Sequence, residues 1–376
     1  MTADLCPEAY AAALAGLVHL TPRRLLALLE RLPPAEAWAS VRRGVSVSPR
    51  RVDTKLEVVE VLQRQAHAIE PETVWNRCLE LGVAVSIRGH AGYPDELVDD
   101  LFAPAVLFSK GSLSLLERRR VGIVGTRNAT ALGRTLAFEF GHDLSDAGVS
   151  VISGLALGID GAAHRGALAS ASAAPVGVVG SGLDVVYPAA HRALWDEVSE
   201  RGVLMSEVPP GTEPAAYRFP ARNRIIAALC EVLVVVESRK SGGSLLTAQE
   251  ALDRGRSVLA MPGSPRNPAS VGTNLLLTDG AAPATTTADI LGALGMGEVP
   301  FGLRLDPRQR PSAPDRPVVE ILRGGAATLD DLVEQLGRTL GEVALSLGRL
   351  EMSGWVVRSA GWFELVHPSE HRGGLR

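Results

Sequence analysis

With 376 residues the chain is longer than one hydrophobic core usually serves, so two or three domains are expected. Hydrophobic residues make up 46% and charged residues 21%, a balance that supports globular folding and excludes long disorder. The formal net charge of −4 excludes attraction of nucleic acid by a bulk field, so any phosphate site has to be a local cluster.

Residues 1–80 read as short helices. In PEAYAAALAGLVHLTPRRLLALLERLP the apolar residues recur at helical spacing, and Thr21-Pro22 supplies a fresh N-cap with proline at the first helical position. Turns at Gly16 and Pro33-Pro34 fit a sterile-alpha-motif-like or helix-hairpin-helix-like module, and equally a helical packing cap. Cys6, Cys78 and Cys230 lie far apart with no C-x-x-C pair, which excludes a disulfide framework and a zinc knuckle. They read as small apolar residues in a reducing compartment. No basic-then-apolar leader opens the chain and no apolar stretch is long enough to cross a bilayer, so a soluble cytoplasmic protein with no membrane contact is expected.

Residues 81–296 change texture. Apolar, β-branched runs recur as VGIVG (121–125), VSVIS (149–153), VGVVG (176–180), GVLMSE (202–207), VLVVVE (232–237) and SVLAMPG (257–263). Helical patterns such as LGRTLAFEFGHDLSDAG, RNRIIAAL and GSLLTAQEALDRG lie between them. Strands that are apolar on both faces and alternate with helices predict an α/β fold with a parallel sheet covered on both sides, Rossmann-like in kind. A proline- and arginine-rich linker is expected at 297–316. Residues 317–376 then give three helical segments and WVVRSAGWFELV, which reads as a hairpin. Together they describe a winged helix.

Ligands of an open parallel sheet bind beyond the carboxyl ends of its strands. The residues there are Gly125, Thr126 and Arg127 after the first run, and Phe219, Arg222, Asn223 and Arg224 after the fourth. After the fifth run come Arg239, Lys240, Gly242, Gly243 and Ser244. Small residues leave amide groups at helix starts open to anions, and arginines arriving from three loops describe a phosphate site. Arg127 has a competing role as an ion-pair partner of Asp160 or Asp184. Arg222 and Arg224 have one as partners of Glu207 or Glu237. Tyr187, Trp195, Tyr217 and Phe219 gather around the same loops although aromatics are only 4% of the chain, and aromatic residues beside basic ones suit a single strand. Core packing suits Trp195 better. GxxxxGK[ST] and H-E-x-x-H are absent, no nucleophile constellation is visible, and neither cofactor nor metal is expected. His164 reads as a hydrogen-bonded structural histidine.

These residues resemble a known family. VGIVGTRNAT, SGLALGIDGAAHRGAL, GSGLDVVYP, LMSEVPPGTEP, FPARNRIIAAL, VVVESRKSGGSLLTAQEALDRGR and MPGSPRNPASVGTNLLLTDGA match DNA-processing protein A (DprA, or Smf) in order and spacing over roughly residues 85–290. The upstream GYPDELVDDLFAPAVLFSKG resembles that family's lead-in to its sheet. The resemblance implies an extended Rossmann-like fold, a homodimer, and single-stranded DNA held in a positive pocket. It also implies delivery of that DNA to a strand-exchange recombinase of the RecA type during natural transformation, without enzymatic activity. It makes Arg127 a DNA contact and sets Arg222 to Arg224 at the same pocket. The helical N-terminus and winged C-terminus resemble domains appended in many members. The family places a basic residue and an asparagine after Tyr187-Pro188; here stand Ala189, Ala190 and His191, and Arg192 is the candidate to supply the charge. A looser resemblance of SGGSLLTAQE to the phosphate loop of nucleoside-monophosphate phosphoribohydrolases gives the rival reading, with Glu250 and Glu207 as its carboxylates.

Overall fold

Strands carrying Val, Ile and Leu on both faces are stable only when helices cover both sides, and that is how the chain folds in its computed structural model. The structure describes residues 5–45, 56–296, 311–323, 325–359 and 361–366, which fall in two units, Met1–Val299 and Pro300–Arg376. Residues 297–310, most of the expected linker, lie outside the described residues.

In the first unit the strands are β1 (Ala84–Ile87), β2 (Val106–Gly111), β3 (Arg120–Val124), β4 (Ser150–Ser153), β5 (Val176–Val178), β6 (Val203–Ser206), β7 (Val232–Val235), β8 (Ser257–Ala260) and β9 (Ala282–Pro283). The helices are α1 (Pro7–Ala15), α2 (Pro22–Leu29), α3 (Pro34–Arg42), α4 (Leu56–Ala68), α5 (Pro71–Glu80), α6 (Asp95–Val98), α7 (Ala131–Asp146), α8 (Ile159–Ala169), α9 (Arg192–Arg201), α10 (Arg218–Leu229), α11 (Gly243–Leu252), α12 (Val271–Thr278) and α13 (Thr287–Ala293). Strand order is β1-β2-β6-β5-β4-β3-β7-β8-β9. Pairing is parallel from β6 to β9 and antiparallel for β1–β2 and β2–β6. The six apolar runs are thus β3 to β8, and the expected Rossmann-like sheet is extended by an antiparallel pair at one edge.

Alternation along β3 and β7 divides the core. Val121, Ile123, Val232 and Val234 point into the layer of α7, α8 and α13, while Val124, Leu233 and Val235 point into that of α10 and α11. A third cluster joins the N-terminal helices (Leu14, Trp38, Leu62) to Phe108 of β2, Leu204 of β6 and Trp195 of α9. Thr21 caps α2 as expected, its hydroxyl accepting from the Arg24 amide at 3.4 Å. Cys78 and Cys230 are buried free thiols, their pKa values pushed up by burial to about 11 and about 12.

The second unit is a winged helix. α14 (Arg316–Arg323), α15 (Leu329–Leu336) and α16 (Leu340–Met352) pack with β10 (Ala327–Thr328), β11 (Val356–Ser359) and β12 (Trp362–Leu365), in strand order β10-β12-β11. Thr328 with Asp331 and Thr339 with Glu342 form capping boxes that start the two helices of the turn motif. Among the described residues no helix is long and apolar enough to cross a membrane, and no acid, histidine or cysteine group could hold a metal ion.

Candidate nucleic-acid interface

From β3 the chain winds one way through β4, β5 and β6, then returns to the other side of β3 as β7. The loops after β3 and β7 therefore part and leave a crevice, the usual ligand position of an open α/β sheet. A cleft with a cavity volume of about 670 Å3 opens there. Gly125, Thr126 and Arg127 form one wall, Arg239 and Gly242 to Ser244 another, and Phe219, Arg222 and Asn223 of α10 a third.

Each wall has a local cause. The Thr126 amide donates to the Glu237 carbonyl at 2.8 Å, tying the loop after β3 to the end of β7. The buried Glu237 carboxylate accepts from the Thr130 amide at 2.9 Å and its hydroxyl at 2.6 Å, which fixes the start of α7. Gly158 has φ +77°, and a Cβ there would stand 2.3 Å from the Thr126 carbonyl oxygen, so only glycine lets α8 begin so close to this loop. At the start of α11, Ser244 donates to Ser238 at 2.8 Å, whereas Gly243 has open space around it and exposes backbone to the cleft.

The aromatic and basic residues divide their tasks. Arg127 is exposed, and its guanidinium lies 4.8 Å from the centre of the Phe219 ring. Phe219 in turn stacks on Tyr187, ring centres 5.3 Å apart and planes inclined by 29°. Arginine, Phe219 and Tyr187 thus form one continuous stack at the rim. The expected alternative for Arg127 is not what forms. Asp160 faces Arg222, and Asp184 accepts from Arg77 at 3.2 Å and from the Gly211 amide at 2.7 Å.

Arg222 is only 4% exposed and donates to the carbonyl oxygens of Gly154, at 2.8 Å, and Val178. Burial lowers its pKa to about 10, with Asp160 raising it and Arg127 lowering it. Asp160, buried beside it, accepts from the Gly154 amide at 3.1 Å, and burial pushes its carboxyl pKa upward against the pull of Arg222. Arg222 therefore braces the cleft floor instead of presenting its charge to the rim. Arg224 turns away altogether. It bonds Glu207, lines a different hollow with Arg120 and Arg254, and leaves Nη1 without a partner. Asn223, whose Oδ1 accepts from Arg222 at 3.2 Å, does line the cleft. Lys240 and Arg192 are exposed outside its lining. His191 is buried and donates from Nδ1 to the Leu155 carbonyl at 2.9 Å. Trp195 is core, with its indole nitrogen donating to Leu183 at 3.1 Å.

The cleft lining carries Arg127, Arg222 and Arg239 against Asp160, a net of +2 in a chain of net −4. Arg222 is buried with Asp160 nearby, so the accessible charge comes from Arg127 and Arg239. The sequence reading missed the lining by Pro214, Ala216 and Leu246. Nothing in their residue types marks them. Glu207 and Glu250, the carboxylates of the rival reading, lie outside the cleft. Glu207 pairs with Arg224 and Glu250 with Arg254 at 2.5 Å.

The family model for DNA recombination-mediator protein A matches residues 84–295, and that for the DprA winged helix domain matches 305–361. The chain belongs to the DNA recombination-mediator protein A family. It is 36% identical over 286 residues to protein Smf of Escherichia coli, covering 74% of this chain and 76% of that one. It is 40% identical over 203 residues to DNA processing protein DprA of Bacillus subtilis, covering 54% and 68%. Among solved structures, DprA from Streptococcus pneumoniae aligns with a TM-score of 0.65 at 31% identity, covering 77% of this chain and 98% of that one. DprA from Helicobacter pylori aligns with a TM-score of 0.52 at 26% identity, covering 57% and 96%, and its structure describes a single-stranded DNA binding mode for that protein. For this DprA-family chain the matched span contains the whole sheet from β1 to β9 and every wall of the cleft.

Proposed function

We propose that the cleft binds single-stranded DNA, and that the protein protects incoming strands and delivers them to a strand-exchange recombinase of the RecA type during natural transformation in the cytoplasm. The observation that carries this reading is the Arg127–Phe219–Tyr187 stack beside the open start of α11. An unpaired base lays its face on an aromatic ring while its phosphates meet guanidinium and backbone N–H groups. Paired bases keep their faces inside the duplex, so such a rim favours single strands. The single-stranded DNA binding mode described for the Helicobacter pylori relative supports the same ligand.

The protein acts by holding DNA, not by catalysis. The carboxylates a phosphoribohydrolase would need are committed to arginines away from the cleft. It acts as a homodimer, since one cleft neutralises only a few phosphates and two along one strand raise avidity. Exposed Leu252 of α11 and Leu275 of α12 offer apolar surface for that contact. Fluorescence anisotropy with oligo(dT) and with a duplex of equal length tests the ligand. Preference for the duplex, or release of adenine from AMP abolished by Glu250→Ala, would overturn the reading. Light scattering at micromolar concentration tests the dimer, and stimulation of strand exchange tests delivery to the recombinase.

A further inference from the structure

Two arginines stand side by side on the outer surface just beyond the cleft. α7 and α8 both spring from the loop that carries Arg127: Thr130 caps α7, and the Ile159 amide at the start of α8 bonds the Thr126 carbonyl at 3.4 Å. The two helices then run in backbone contact. A Cβ on Gly141 would lie 2.2 Å from the Ala163 carbonyl oxygen, and one on Gly166 2.0 Å from that of Phe138. This contact sets the exposed Arg134 of α7 beside the exposed Arg165 of α8. Arg134 donates to the Ala129 carbonyl at 2.6 Å, which holds it against the cleft loop.

Among the described residues neither guanidinium has a carboxylate within ion-pair distance. Partial burial, and then the charge of Arg134, lower the pKa of Arg165, so the fold keeps two like charges together without compensation. Both side chains reach solvent, so water screens their mutual repulsion and leaves the two charges open to an anion.

We propose that Arg134 and Arg165 form a phosphate clamp that receives the DNA strand as it leaves the cleft past Arg127. The proposal rests on the reading of the cleft as a single-strand site and extends its footprint along α7 and α8.

The test compares full-length protein with the Arg134→Ala/Arg165→Ala variant on oligo(dT) of about 6 and about 20 nucleotides, which bracket the span of a single-strand groove. The 20-mer should bind roughly tenfold more weakly to the variant, with its log–log salt slope reduced by about 1.4 for two lost contacts. The 6-mer, held by the cleft alone, should be unaffected. The Arg134→Lys/Arg165→Lys variant keeps the charges and should retain the slope, which separates a clamp from a loss of fold. Equal loss on both lengths, or no loss on the 20-mer, overturns the clamp. Failure of the unaltered protein to bind either oligonucleotide overturns the cleft reading itself.

Discussion

Replacing Arg127 by alanine removes a charge that the fold does not need. The side chain is exposed, and its described contact is the face of Phe219, 4.8 Å from the ring centre. A cation over an aromatic ring at an exposed site is worth about 0.5–1 kcal/mol. Its charge acts on the buried groups below with both signs, opposing Arg222 and favouring ionised Asp160, so those two effects offset each other. The melting temperature should therefore move by no more than a few degrees. The loss in binding is larger. A hydrogen bond to a charged group contributes about 1.5–3 kcal/mol, which corresponds to roughly 10- to 150-fold in affinity. Losing one phosphate contact also lowers the log–log salt slope by about 0.7 on a single strand. Anisotropy titrations of labelled oligo(dT) at several salt concentrations read both quantities, with a thermal melt as the control. Unchanged affinity and slope in a folded Arg127→Ala protein would refute the assignment of the rim to phosphate.

His164 is buried, donates from Nε2 to the Val176 carbonyl at 3.2 Å, and has its pKa lowered by burial to about 3 from 6.5. It stays neutral in the fold but takes a proton on unfolding, so its contribution is complete above pH 6.5 and is lost as the pH falls toward 3, at up to about 1.4 kcal/mol per unit. Thermal melts from pH 7 down to about pH 4 should accordingly show a steeper fall for the unaltered protein than for His164→Gln, and equal slopes would contradict this. Gly158→Ala should cost at least about 2 kcal/mol in chemical denaturation, from a left-handed backbone and a Cβ driven into the Thr126 carbonyl. Ending the chain after residue 310 should leave most single-strand affinity. Arg349 is held by Asp315 at 2.5–3.2 Å and Arg338 by the Pro314 carbonyl at 2.7 Å, so the basic side chains of the turn motif are engaged inside the winged helix. Loss of nearly all binding in a folded truncation would move the DNA site to that domain.

The sequence by itself determined the elements whose causes are local. Six apolar runs became β3 to β8 and Thr21-Pro22 opened α2, because side-chain periodicity and capping act within a few residues. It also fixed which loops meet, since the carboxyl ends of parallel strands share one edge. β1, β2 and β9 escaped that reading. β9 is two residues long and β1 is a short, half-exposed edge strand, while β2 is buried on both faces but pairs antiparallel with both neighbours, outside the strand-helix alternation that announced the others. What each charged side chain does was decided only by the tertiary structure. Arg222 and Arg224 are two residues apart on α10, yet one braces the Gly154 and Val178 carbonyls and the other pairs with Glu207 across the helix. Asp160 could have paired with Arg127 and instead feels chiefly the buried Arg222. The partner of a charge is set by whichever strand end or helix face arrives within a few ångströms, and burial then decides whether that charge is spent on the protein or left for a ligand. Arg127 was left exposed on its loop, beside a ring that only the folding of α10 could bring to it.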